Sequence, residues 1–399
     1  KTGMNAVVDL IDIYLCKFTA SSLSNMAGLY IHIPFCKQAC HYCNFHFSTG
    51  KDYRDQMIEA ICSEIALRKD EISDTIETIY FGGGTPSIVD SKHIDAILQT
   101  ILKNYSVDKD PEITLEANPD DINEKTSSEW KSIGINRFSI GIQSFSDHQL
   151  KWMNRAHNAE QSHKCIDIIR KTGFNNFSID LIYGAPNQSI MEWEKDLLTA
   201  TQYEIPHLSC YALTVEKETP LFHLIQKGEK QNISTNLQAD AFKLLLGLTK
   251  SAGYLHYEIS NFSLPEMESK HNSAYWRGVP YLGFGPSAHS FHHNTRSWNI
   301  SNNIQYMQAV EKHHLPNEKE TLSEKDQLNE YIMTNLRLSK GITAQHINNY
   351  WGYEQLLRIE KEISKYLKEY KVEKTDEGWK LTDEGKFFAD GIASDLFLV

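Results

Sequence analysis

The chain predicts an α/β fold built on a parallel sheet, followed by a second, mostly helical domain. Two observations carry this expectation. Short apolar, β-rich runs alternate with amphipathic helical stretches over the first half, the pattern of β–α–β crossovers. Past residue 300 that rhythm gives way to charged, helically periodic segments.

The elements follow in order. Leu29-Tyr30-Ile31-His32-Ile33 reads as a buried strand. Lys51–Asp70 places Met57, Ile58, Ile61, Ile65 and Leu67 at helical spacing. Thr78-Ile-Tyr-Phe81 is a short strand running into Gly82-Gly83-Gly84-Thr85-Pro86. Predicted helices at Ser91–Lys103, Asn123–Ser132, Glu160–Thr172 and Ile190–Tyr203 then alternate with predicted strands at Glu112–Glu116, Arg137–Ile142, Asn176–Leu181 and His207–Tyr211. Six such units fit either a doubly wound sheet or an incomplete barrel, and in both the ligand sits at the carboxyl ends of the strands. Beyond residue 220 the expectation is a helix at Asn236–Ala252, a strand at Tyr254–Ile259 and a loop from Ser260 to Trp298. Helices follow at Ile304–His313, Glu324–Arg337, Thr343–Asn348 and Tyr353–Glu369, with a small hairpin at Val372–Lys374 and Trp379–Leu381. Residues 1–25 are expected to be a tail outside the fold, with Met26 the natural start, so the units are 26–260, a connecting segment 261–299 and a C-terminal domain 300–399.

Composition narrows the function. Of 399 residues, 41% are apolar and 23% charged, with 40 basic against 52 acidic side chains and a net charge of −12. That balance argues against nucleic acid or an anionic membrane as partner. No stretch approaches the roughly 20 apolar residues of a membrane span. Seven cysteines, three of them clustered, do not make a secreted disulfide framework and point to a reducing cytoplasm.

The cluster is Cys36-Lys-Gln-Ala-Cys40-His-Tyr-Cys43, directly after the first strand. Three thiolates at C-x3-C-x2-C spacing can hold three corners of a [4Fe–4S] cube and leave one iron open. A zinc site completed by His41 or His46 is the alternative. The cysteine loop, the glycine loop, Glu116, Gln143 and Asp180 all fall at or just past strand ends, which argues for one shared site.

These residues resemble the radical S-adenosylmethionine (SAM) superfamily and, within it, the HemN/HemW group. The resemblance covers residues 26–399, and Tyr30-Ile-His-Ile-Pro-Phe-Cys36 with the cysteine loop is its most specific part. It implies an incomplete (βα)6 barrel followed by a HemN-type C-terminal domain. It also implies a [4Fe–4S] cluster on Cys36, Cys40 and Cys43 whose open iron is chelated by SAM. Gly83, Gly84 and Thr85 match the group's GGGTP motif, the three glycines admitting close approach of a backbone to a polar ligand. Glu116 in Thr114-Leu-Glu-Ala-Asn-Pro119, Gln143 in Ser139-Ile-Gly-Ile-Gln-Ser-Phe145, Arg155 in Asn154-Arg-Ala-His157 and Asp180 in Ile179-Asp-Leu-Ile-Tyr-Gly184 match SAM-contacting positions in order. Tyr30 and Ala212 complete that pocket.

Coproporphyrinogen dehydrogenases of this group carry a further cysteine two residues after the third, where this chain has Phe45. Downstream, His271-Asn272-Ser-Ala-Tyr275-Trp276 resembles the HNxxYW motif of HemW-type haem chaperones, although Ser269 stands where some relatives have a cysteine. Imidazole is a common haem-iron ligand, and Tyr and Trp offer flat apolar faces to a porphyrin. The expectation is a haem chaperone binding cluster, SAM and haem near His271 and passing haem to an acceptor protein. Oxidative decarboxylation of coproporphyrinogen is the enzymatic alternative, and a zinc-stabilised binding protein the third.

Overall fold

The computed structural model describes residues 26–50 and 52–399; the expected tail, 1–25, lies outside them. Six strands, β1 (Met26–Ile33), β2 (Thr75–Gly83), β3 (Val107–Ala117), β4 (Arg137–Gln143), β5 (Phe177–Tyr183) and β6 (His207–Ala212), pair in sequence order and all parallel. Helices cross between them, and those beginning at Glu124, Ala159 and Ile190 each start from a capping box, on Asn123, Asn158 and Ser189. The strands are apolar on their outer face, where Ile79, Leu115, Ile140, Ile179 and Leu208 are sealed beneath the helices.

The inner face differs. Thr114, Ser139, Ser178 and Ser209 occupy inward positions where barrels of this kind usually carry branched apolar side chains. Residues of all six strands line one cavity of about 600 Å³, so the sheet curls around a hollow interior. The sheet does not close, since β12 (Asn317–Thr321) and β7 (Leu255–Glu258) form its two edges.

The segment Ser260–Trp298 departs from the expected loop. It contains β8 (Asn261–Ser263), a helix at Lys270–Trp276, β9 (Tyr281–Phe284), β10 (His289–His292) and most of β11 (Thr295–Asn299). β9 joins the free edge of β1 in parallel, and β10, β11 and β12 extend the sheet antiparallel beyond it. These strands are three to five residues long and interrupted by Gly, His and Asn, which leaves too little periodicity to read.

The packing changes between Val310 and Leu328. Tyr306 and Val310 belong to the barrel's core, while Leu328, Ile332, Ile359, Ile363, Trp379 and Ile392 form a second one. Around it lie helices Glu324–Leu336 and Ala344–Lys368 and a small sheet of β13 (Ile342–Thr343), β14 (Val372–Lys374) and β15 (Gly378–Leu381). The long helix breaks at Gly352 (φ 85°), at the gap between the two helices expected there.

Glu64 fastens the added strands to the barrel. Fully buried, it accepts from Arg68 (3.0 Å), Tyr306 (2.6 Å), Asn299 (2.8 Å) and the Gly285 amide (2.8 Å). Replacing it leaves the buried Arg68 guanidinium short of its principal carboxylate, which costs on the order of 3–5 kcal/mol. Glu64→Leu is therefore expected to lower the urea midpoint substantially; a midpoint within error of wild type would refute this role.

Candidate functional site

The site is assembled where β1 and β2 end side by side, with Ile33 opposite Gly83. The Gly84 amide donates to the Ile33 carbonyl (2.9 Å) and the Thr85 amide to the Phe35 carbonyl (2.7 Å). A Cβ at Gly84 would lie 2.6 Å from the Phe35 carbonyl oxygen, and one at Gly83 (φ +104°) 2.6 Å from the His32 ring. The glycines thus have a packing role within the chain. The Gly84 and Thr85 N–H groups are consumed by the chain itself, and the missing side chains let the glycine turn pack directly on the start of the cysteine loop.

The loop is held from several sides. Cys36 N–H donates to Ser48 (3.0 Å), Lys37 pairs with Asp120 (2.6 Å) and Asp121, and Asn154 donates to the Ala39 carbonyl (2.8 Å). Two donors face its sulfurs: Thr85 Oγ1 lies 3.5 Å from Cys36 Sγ and Arg155 Nη1 lies 3.4 Å from Cys40 Sγ. Asn118 links those donors, accepting from Arg155 (2.6 Å) and donating to Thr85 (3.3 Å). Burial and the neighbouring thiols raise the Cys36 pKa and push Cys43 up to about 11, so iron binding here would release protons.

Among the described residues no three His, Cys, Asp or Glu side chains converge closely enough to hold a single metal ion. His41 bonds the Trp152 carbonyl (3.1 Å) and His46 bonds Asn303 (2.8 Å), so both candidates for completing a zinc site are engaged elsewhere. A cube places each cysteine on a different iron, so its thiolates stand further apart than ligands sharing one ion. The loop with its two sulfur-facing donors fits such a cluster.

Tyr30, Gly83, Glu116 and His271 line the cavity. Glu116 accepts from Tyr80 (2.7 Å), and burial, with repulsion from Asp180, pushes its pKa up to about 7. Burial likewise raises Asp180 to about 6, while the Ser209 and Ser139 hydroxyls and the Arg155 charge oppose the shift. Thr85 and Arg155 stand at the sulfurs and Gly84 against Phe35. Gln143 (φ 65°) and Ala212 end β4 and β6 beyond the cavity wall. Gln143 is brought near Arg155: both side chains would touch a Cβ on Gly141, each at 3.0 Å.

His271 is buried, and both ring nitrogens are in use: Nδ1 with Thr78 Oγ1 (2.7 Å) and Nε2 with the Tyr275 hydroxyl (2.9 Å). Burial pushes its pKa down to about 3, so the imidazole is neutral. An iron at Nε2 requires Tyr275 to move aside. Tyr30, Tyr80, His271, Tyr275 and Tyr281 form a continuous aromatic wall, with successive centroids 6.2, 5.0, 4.8 and 4.5 Å apart. Tyr80, Tyr281, His32, Arg137 and His207 also line the cavity and were not anticipated as site residues. Their signal is a polar or aromatic side chain at alternate positions of otherwise apolar strands.

Residues 30–200 match the radical SAM superfamily and residues 322–388 the HemN C-terminal domain. A Lactococcus lactis protein described as heme chaperone HemW is 31% identical over 374 residues, covering 91% of this chain and 97% of that one. The chain belongs to the HemN/HemW group of the radical SAM superfamily. A Bacillus subtilis protein with the same description is 31% identical over 332 residues, 82% of this chain and 87% of its own. Coproporphyrinogen III oxidase (HemN) from Escherichia coli superposes with a TM-score of 0.81 at 22% identity, covering 94% of this chain and 90% of that one, a likeness of fold. Membership of the superfamily implies a [4Fe–4S] cluster and SAM. Among the described residues no helix is long and apolar enough to cross a membrane.

Two outcomes follow from the geometry. Gly84→Ala forces a methyl group onto the Phe35 backbone; overpacking of this kind costs about 1–3 kcal/mol. It is expected to lower Tm and the iron and sulfide retained after anaerobic reconstitution, whereas unchanged loading would show that the two loops can part freely. Glu116, ordinarily near 4.5 and here about 7, binds its proton more tightly folded than unfolded. Its ionisation therefore removes stability as pH rises from 4.5 towards 7, and the loss levels off above that. Glu116→Gln should match wild type in Tm at pH 4.5 and exceed it by a few degrees at pH 8; a difference independent of pH would contradict the shift.

Proposed function

We propose that this chain is a haem chaperone: it binds a [4Fe–4S] cluster, SAM and haem, and passes haem to an acceptor protein in the cytoplasm. The observation that carries the reading is near-full-length identity of about 31% to relatives described as heme chaperones. Phe45 supports it, an exposed apolar ring at the cavity lining where decarboxylating members place a further thiol.

In this reading Cys36, Cys40 and Cys43 hold the cluster, with Thr85 and Arg155 donating to the Cys36 and Cys40 sulfurs. When bound, the cluster supplies an electron and one open iron at which SAM is held. Tyr30, Gly83, Gly84, Gln143 and Ala212 shape the SAM pocket, and Glu116 and Asp180 accept from its hydroxyl and amino groups. A ligand that donates hydrogen bonds to Glu116 favours its ionised form, so SAM affinity should rise between pH 6 and 8. The aromatic wall offers flat faces to a tetrapyrrole, and His271 Nε2 would be the atom to hold its iron, in place of the Tyr275 hydroxyl. Coproporphyrinogen oxidation draws support from the shared fold alone.

Titrating haemin into wild type, His271→Ala and Tyr275→Phe, and following the Soret band, tests the assignment. The expected order of affinity is Tyr275→Phe at or above wild type and His271→Ala at least tenfold below it. Identical spectra and affinities in all three proteins would remove His271 from haem binding. Reconstituted protein given dithionite, SAM and coproporphyrinogen III is expected to yield no protoporphyrinogen above background; turnover would favour the enzymatic alternative.

A further inference from the structure

The cavity floor holds a charge that its surroundings leave unmatched. Arg137 opens β4 and is 1% exposed. Its Nη1 donates to Asn176 Oδ1, while its Nη2 has no partner in the protein. Among the described residues no carboxylate lies within ion-pair distance of it. Asp180 is close enough to feel the charge, yet its carboxyl is engaged by Ser139 and Ser209. Buried guanidinium groups are normally paired, because an unpaired one is costly.

Two more orphaned groups belong to residues that line the same hollow. Thr114 lies opposite Arg137 in the β3–β4 register, and its fully buried Oγ1 has no partner. His207, the first residue of β6, bonds Tyr257 through Nε2 (2.7 Å) and leaves Nδ1 unpartnered. Burial, then the Arg137 charge, lowers the His207 pKa well below its usual value, so the ring is neutral. With the Tyr257 hydroxyl donating to Nε2, the ring hydrogen stands on Nδ1 and can itself be donated. Arg137, Thr114 and His207 all line the cavity, with Ser178 also on the wall. A guanidinium, a hydroxyl and an imidazole N–H on three strands, each able to donate, make a recess suited to a carboxylate.

We propose that the barrel floor is a carboxylate-binding site, where Arg137, Thr114 and His207 take the acid arm of a ligand whose body fills the cavity above. This deepens the haem reading, in which the acid is a propionate. A small free carboxylic acid presents the same chemistry, and the two sources are separated by experiment.

In the first arm, sodium succinate is titrated calorimetrically into the full chain without cluster, with sodium chloride at equal ionic strength as control. Saturable binding is expected in wild type, at least tenfold weaker in Arg137→Gln and several-fold weaker in the near-isosteric Thr114→Val. No saturable binding in wild type, or equal binding in all three, would overturn the site. Should Arg137→Gln fail to fold, Thr114→Val decides. The second arm compares haemin with its dimethyl ester. Arg137→Gln weakening haemin but not the ester places a propionate on the floor. Loss of succinate binding with haemin unaffected keeps the site, assigns it to a free acid and counts against the haem reading of this cavity.

Discussion

Two backbone hydrogen bonds, Gly84 to Ile33 and Thr85 to Phe35, lock the turn after β2 onto the start of the cysteine loop after β1. The constraint is steric as much as polar, since any side chain at Gly84 would collide with the Phe35 backbone. Because β1 and β2 are parallel and in register, both turns emerge at the same end of the sheet. The loop therefore has one fixed position relative to the cavity, and Thr85, Asn118 and Arg155 inherit theirs from it. A carbonyl of β4, on Gly141, takes the second arm of Arg155 and ties the sulfur-facing donors to the far side of the barrel.

Serine and threonine on the inner face have the opposite effect on the interior. Small polar side chains leave the barrel hollow, and the hollow is electrically graded. Glu116, whose burial raises its pKa, lies toward the carboxyl end of β3, and Arg137 stands at the first position of β4. Past the donors at the sulfurs, a ligand meets the Glu116 carboxyl first and the Arg137 guanidinium last. That gradient suits an elongated molecule with hydroxyl or amino groups at one end and an acid at the other.

The strands after residue 280 shield one flank of this arrangement. β9 covers the edge of β1 that would otherwise be open, an edge that parallel sheets rarely leave exposed. Glu64 fastens β9, β11 and the helix at Asn303–Glu311 to the first barrel helix through one carboxylate. At the other edge Arg337 pairs with Glu258 (3.0 Å) and joins the C-terminal unit to the barrel.

The sequence by itself determined the alternation of strands and helices and the three-thiol loop, because period and spacing are local properties of the chain, whereas Asp180, expected at a strand end, lies in the middle of β5. Glu116 and Asp180 were legible as polar residues in apolar runs. Only the tertiary structure decided that the glycines serve loop-on-loop packing, that both nitrogens of His271 are occupied, and that 260–298 extends the sheet. Thr78, which holds His271, lies 193 positions away from it, and no periodicity encodes a contact of that range. The orphaned Arg137 shows the same limit: a strand-opening arginine reads as a surface charge until neighbouring strands fold around it and take away its water.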